Sequence, residues 1–239
     1  MVMQNEIQHN RKADIAIVTD SSCDLPKELI DKHQIHVVPL SVHFGETYFL
    51  DRLTINPPQF YAMLESTDER ASSAQPASKE FQNKYDYLAT HYDSVIGIQI
   101  SQGLSGTFSS SEKGAKEVAG RTGKRIDVVN SKTLTAGLGL LVLRAAQAIE
   151  AGASHAEVME KMEEWKKKSI VRVSVTTLKY IVRSGRVSPF KSFMAKLMDL
   201  KPIIALNEEG KTELFSKSFS ETSSAKKLIR NLATLTSEK

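Results

Sequence analysis

A single cysteine, Cys23, stands among the 239 residues, so no intrachain disulfide can form and the chain suits a reducing, cytoplasmic setting. No uninterrupted apolar run approaches the roughly 20 residues of a membrane span, which excludes stable membrane insertion by a helix. Residues 1–14 are polar and lack the apolar stretch of a secretory leader. A large excess of one charge is missing too: 32 Lys and Arg against 28 Asp and Glu leave a net +4. The densest basic run, Lys166-Lys167-Lys168, sits beside Glu160, Glu163 and Glu164 and reads as a solvated helix face. No concentrated basic patch remains to bind nucleic acid. His33, His36, His43 and His91 have no metal-ligand spacing, and no Gly-x-x-x-x-Gly-Lys-Ser/Thr run offers a nucleotide loop.

What is present is three hydroxyl-rich loops: Thr19-Asp20-Ser21-Ser22, Ser72-Ser73-Ala74-Gln75-Pro76 and Ser101-Gln102-Gly103-Leu104-Ser105-Gly106-Thr107. The first and third follow the apolar runs 15–18 and 95–100, and each of the three precedes a helix-like segment. In an open α/β sheet, ligands bind beyond the carboxyl ends of the strands. Hydroxyls and backbone N–H groups at helix starts favour an anionic head group. Each loop also has a plainer reading. Ser105 and Thr107 suit helix capping, Ser73 a turn, and Asp20 an Asx bond within its own turn.

Around these loops strands and helices alternate. Strands are expected at 15–19, 95–100 and 125–130, and a hairpin of 35–43 with 47–50 turning at Gly45-Glu46. Helices are expected from Pro26 with Ser22 or Asp24 as cap, from Asn56 to 64, and from Ser78 to 91. Further helices fit 107–118, 133–151 and 154–168, with Gly137 and Gly139 letting another element come close to the long apolar one. Beyond lie a strand at 170–175, helices at 178–184 and 190–200, a hairpin at 202–218 turning at Glu208-Glu209-Gly210, and a helix at 224–234. The fold class is α/β in two domains. Residues 14–152 form a mostly parallel sheet flanked by helices, and 153–239 a smaller α/β domain.

The run Ile17-Val18-Thr19-Asp20-Ser21-Ser22-Cys23-Asp24-Leu25-Pro26 resembles the start of the DegV family of bacterial lipid-binding proteins. Val38-Pro39-Leu40, Phe44-Gly45-Glu46-Thr47-Tyr48 and Asp51 follow where that family carries its second strand pair and an acidic residue. Ser73-Ala74-Gln75-Pro76 is similar to its Thr-Ser-Gln-Pro loop, and 101–107 to its Ser-x-x-Leu-Ser-Gly-Thr loop. Leu178-Lys179-Tyr180, Ser184-Gly185-Arg186-Val187-Ser188 and Lys201-Pro202-Ile203-Ile204 keep the order to the end. The resemblance implies a protein that binds a long-chain fatty acid between two domains. It implies presentation of the carboxylate to a separate fatty acid kinase subunit that makes acyl-phosphate, with no catalytic residue, metal or further cofactor of its own. Carried over by motif, Ser73 and Ser105 hold the carboxylate, with Gly106, Thr107 and Ser21 in the surrounding loops. An arginine supports them, Arg186 rather than Arg183 because it lies in the Gly-Arg-Val stretch.

Three departures matter. Ser73 replaces the family threonine, Ala74 replaces a serine, and Ala77 follows the proline. The family also continues with a strand, a helix and a Gly-Pro-Gly-type turn carrying a histidine, which nothing after Thr234 supplies. The C-terminal domain is therefore expected to be incomplete, with weakened ligand retention or self-association. The rival reading is a serine esterase acting on a small acyl substrate through Ser105. Thr107 stands where a nucleophile elbow wants glycine, and only His155 is left as the base.

Overall fold

Isoleucine and valine dominate the first strand, β1 (Ile15–Asp20), and every residue of it is buried. Ile15 and Ile17 enter one core while Ala16 and Val18 enter another, as the two-residue period of a strand requires. A strand covered on both faces needs no polar side. The computed structural model describes residues 14–67, 69–177, 180–181, 184–186 and 201–237. After β1 come α1 (Lys27–Lys32), β2 (His36–Val38), β3 (Ser41–Phe44), β4 (Thr47–Leu50), α2 (Pro57–Ser66), β5 (Ala71–Ala74) and α3 (Ser78–His91). Then follow β6 (Ser94–Gln99), α4 (Thr107–Thr122), β7 (Arg125–Asn130), α5 (Thr135–Glu150) and α6 (His155–Lys168).

Four parallel strands make the main sheet in the order β2-β1-β6-β7. Helices α5 and α6 cover one face, where Leu138, Leu141 and Met162 join Ile17, Ile96 and Ile98. Helices α3 and α4 cover the other, where Phe81, Tyr85, Leu88 and Val118 join Val18 and Val95. This is an α/β fold with a parallel sheet flanked by helices. Gly139 on α5 does admit a close neighbour: a Cβ there would lie 3.2 Å from the side chain of Leu25.

The expected hairpin 35–43 is in fact split between two sheets. Residues 36–38 pair in parallel with β1, and β3 pairs antiparallel with β4 and β5 in a separate three-stranded sheet. Pro39, which has no N–H to give a ladder, stands at the break, and the next N–H, of Leu40, donates to Ser21 Oγ at 3.0 Å. The stretch 71–74 is a strand rather than a loop, with Ser73 opposite Val42. Pro26 takes the N-cap place of α1 with no side-chain cap; Ser22 is bound to Asp20, and Asp24 to Arg52. Asn56 caps α2 as expected, accepting from Gln59 N at 2.9 Å while Gln59 Oε1 accepts from Asn56 N at 3.0 Å.

The chain divides into two units after Ser169, not at 152–153. The glycine at 152 does end α5, but α6 belongs to the first unit. Its Val158 and Met162 are in that unit's core. His155 Nδ1 meets Ser94 Oγ at 2.8 Å and its Nε2 meets Asp127 Oδ2 at 2.9 Å. An amphipathic pattern shows that a helix buries one face without saying against what. The second unit contains β8 (Arg172–Ser174), β9 (Ile203–Leu206), β10 (Thr212–Ser216) and α7 (Glu221–Ser237). Its strands form one antiparallel sheet in the order β10-β9-β8, and Ser174 Oγ meets Ser224 Oγ of α7 at 2.7 Å. The expected helix at 190–200, most of that at 178–184, and Arg183, Val187 and Ser188 lie outside the described residues. Among the described residues, no helix is long and apolar enough to cross a membrane.

Candidate functional site

The carboxyl ends of β1 and β6 lie side by side, with Thr19 in register with Ile98. From β1 the sheet grows to β2 on one side and to β6 and β7 on the other, so this pair is the topological switch point. Thr19 Oγ1 donates to Ile98 O at 2.8 Å. Asp20 Oδ2 accepts from Ile100 N at 2.7 Å, and its Oδ1 accepts from Ser22 N at 3.0 Å and from the Ser22 hydroxyl. Burial pushes the Asp20 carboxyl above its ordinary value, against the bonds from Ile100 and Ser22, which pull it down. Asp20 thus bonds within its own turn, as an Asx residue does, and also ties the first loop to the third.

In the third loop, Ser101 O accepts from Ser105 N at 3.1 Å and from Leu104 N at 3.0 Å, folding the chain back before α4. The hydroxyls of Ser105 and Thr107 meet at 2.8 Å, and Thr107 N donates to Ser105 Oγ at 3.3 Å. Ser105 is half-buried and Thr107 buried. Gly106 occupies the N-cap of α4 and brings no side chain to it. The second loop reaches the third through Gln75, whose side chain lies over Gly106 and whose Nε2 donates to Ser110 Oγ at 3.2 Å. Ser73, exposed, sits two residues upstream on β5. Ser21 is buried, and its hydroxyl oxygen accepts from Leu40 N.

Of the predicted residues, Ser105, Gly106 and Thr107 therefore come together, and Gln75 brings the strand of Ser73 to them. Arg186 belongs to the second unit, where it is exposed and its Nη1 donates to Ser184 O at 2.6 Å. The esterase geometry is not formed. His155 is bonded to Ser94, the first residue of β6, whereas Ser105 follows the other end of that strand. A six-residue strand spans about 20 Å. Ser94 with His155 and Asp127 makes a serine–histidine–aspartate row, but Ser94 and His155 are both buried. We read it as a tie between β6, β7 and α6.

Two clefts lie in the first unit. One of about 280 Å³ is lined by Ser41, His43, Tyr48 and Leu50 of the second sheet together with Gln75, Pro76 and Glu80. Another of about 270 Å³ lies at the amino end of β1, between Asp14, His33, Tyr92 and Glu150. The second is at the far end of the sheet from the hydroxyl loops, so the chemistry of the loops, not the hollow, locates the site. Among the described residues no group of three or more His, Cys, Asp or Glu gathers to hold a metal.

The model of the DegV family, described as one of uncharacterised proteins, matches residues 14–239. The chain belongs to the DegV family. A DegV domain-containing protein of Clostridium acetobutylicum is 33% identical over 226 residues, spanning 94% of this chain and 79% of that protein. Among solved structures, the chain resembles a DegV family protein from Thermus thermophilus known for fatty acid binding. That match has a TM-score of 0.84 and 29% identity over 93% of this chain and 78% of that one. It likewise resembles DegV, a fatty acid binding protein from Bacillus subtilis, with a TM-score of 0.84 and 30% identity over 95% and 79% of the two chains.

Sequence reasoning missed two contacts that tie the hydroxyl loops of this DegV-family chain together. Gln75 carried no signal beyond the turn character of Gln-Pro. Asp20 was legible as an Asx residue, but its bond to Ile100 spans a distance in sequence that local pattern does not cover.

Proposed function

We propose that this DegV-family chain binds a long-chain fatty acid and presents its carboxylate to a separate kinase subunit, which forms the acyl-phosphate. The observation that carries the reading is the hydroxyl pair of Ser105 and Thr107, 2.8 Å apart at the start of α4. It sits at the switch point of a fold shared with fatty acid binding proteins of Thermus thermophilus and Bacillus subtilis.

A carboxylate that leaves water needs donors, because an uncompensated buried charge costs several kcal/mol. Ser73 and Ser105 supply hydroxyls, the Gly106–Thr107 turn supplies a backbone N–H, and Arg186, carried over from the family resemblance, supplies charge. Ser21 lies within the first loop, its hydroxyl oxygen accepting from Leu40 N. The sixteen-residue helix α4 adds the positive end of its dipole. The acyl chain provides most of the affinity, at about 0.8 kcal/mol per buried CH₂. Phosphoryl transfer then belongs to the kinase: a carboxylate oxygen attacks the γ-phosphorus of ATP and ADP leaves. The binding protein contributes position rather than a catalytic group, and its ligand is its only small molecule. Its place of work on this reading is the cytoplasm.

Denaturing organic extraction of the purified protein followed by lipid mass spectrometry tests the proposal. One fatty acid per chain is expected, lost in Ser105→Ala and reduced in Ser73→Ala and Arg186→Ala. Loaded protein mixed with a fatty acid kinase subunit and ATP should release ADP, and empty protein should not. A protein that is empty and takes up no added fatty acid would overturn the reading.

A further inference from the structure

The amide of Gln75 lies against Gly106 of the third loop. A Cβ built on Gly106 would fall 2.0 Å from Gln75 Oε1 and 2.7 Å from its Cδ and Nε2. No side chain fits at position 106 while Gln75 keeps this place. The backbone itself makes no such demand, since Gly106 has φ −74°, open to any residue. The glycine gives the Gln75 amide its room. Ser110, on the first turn of α4, fixes that approach by accepting from Gln75 Nε2 at 3.2 Å. The same residue also lines the cleft of about 280 Å³ on the second sheet. One neutral amide therefore borders both that cleft and Gly106.

The geometry points to Gln75 as a positioning residue that controls access to the Ser105–Thr107 loop and admits a carboxylate there because it carries no charge. This inference rests on the head-group reading above. Held by Ser110, the amide covers Gly106; a head group reaches the loop when the amide swings aside. A glutamate of the same shape would set a second carboxylate against the ligand's, and like charges a few ångströms apart repel strongly in a partly desolvated site. The amide gives the same cover without that repulsion.

The test uses the full chain stripped of lipid, with two readouts. In hydrogen–deuterium exchange, Gln75→Ala should expose the amides of 105–108 and speed their exchange about tenfold, the weight of one neutral hydrogen bond and its packing. In stopped-flow binding of a fluorescent polyene fatty acid, Gln75→Ala should enter and leave faster by a similar factor, with Kd changed far less than either rate. Ser110→Ala, which only releases the pin, should move both readouts the same way by less. Gln75→Glu should weaken binding of the fatty acid about tenfold or more while leaving the matching fatty alcohol unaffected. A merely structural role would not separate acid from alcohol. Unchanged amide exchange in Gln75→Ala, or equal loss of acid and alcohol in Gln75→Glu, overturns the inference. Should the wild-type protein bind neither lipid, faster amide exchange in Gln75→Ala would leave the cover standing and remove the head-group reading instead.

Discussion

The carboxylate of Asp20 accepts the N–H of Ile100 at 2.7 Å, joining two loops 80 residues apart in sequence. Its other oxygen is occupied by Ser22, and the residue is fully buried. Three donors thus converge on two oxygens. Asp20→Asn keeps the shape but has one oxygen, so its NH₂ must face a donor. We expect a loss of about 1–3 kcal/mol, the cost of an unmet buried polar group. Urea denaturation should show a lower midpoint at unchanged slope. An unaltered midpoint would deny the clasp any weight.

His155 gives the first unit a pH dependence. Burial, then the charge of Arg125, pulls its pKa below the ordinary 6.5, against the opposing pull of Asp127. The folded state therefore binds fewer protons than the unfolded chain between the depressed folded value and 6.5. Stability is fully present above the unfolded value and falls as pH drops through that window. Thermal melts between pH 7.5 and 5.5 should show a declining Tm that becomes shallower in His155→Gln, which cannot take up the proton; His36, whose pKa burial and then Lys84 also lower, supplies the remaining slope. A parallel decline in both proteins would place the titration elsewhere.

How far the fold was legible depends on where each element finds its partners. Strands β1 and β6 were readable because both faces are apolar, and α2 because Asn56 and Gln59 form a local capping pair. Strand β5 was not. Ala71 to Ala74 are small and polar, and only pairing with β3 makes them extended. Local pattern also joined 35–43 into one strand, although Pro39 marks where the chain leaves one sheet for the other. The hydroxyl loops were legible as chemistry. Their connection by Gln75 and Asp20 was not, since both contacts are made across the fold.

Cys23 should behave as an inert thiol. It is 1% exposed, and burial above all, with the neighbouring Asp20 carboxylate adding to it, pushes its pKa up to about 11. The thiolate is the reactive form. Iodoacetamide at pH 8 should leave the native chain unmodified by mass and alkylate it fully in guanidinium. Rapid labelling of the native protein would mean that the 21–26 loop opens.

Tyr85, wholly buried between α3 and the sheet, occupies the space that Gly97 leaves. A Cβ on Gly97 would lie 2.6 Å from Tyr85 Oη, 3.3 Å from Gln99 Nε2 and 3.4 Å from Val128 Cγ2. The phenol meets Ser111 Oγ of α4 at 2.6 Å, so it cannot retreat without leaving that hydroxyl unpaired. Gly97→Ala should cost about 1–3 kcal/mol as overpacking. Tyr85→Phe should cost about 1–2 kcal/mol through the orphaned Ser111. Together the two losses should not add: removing Oη clears the site that the new methyl enters, so the double variant should be more stable than the sum predicts. A denaturation cycle of the four proteins measures this directly. Strict additivity would mean that the sheet moves away from α3, and α4, whose first turn carries Thr107 and Ser110, would shift with it; the fatty acid affinity of Gly97→Ala then reports that movement at the head-group loop.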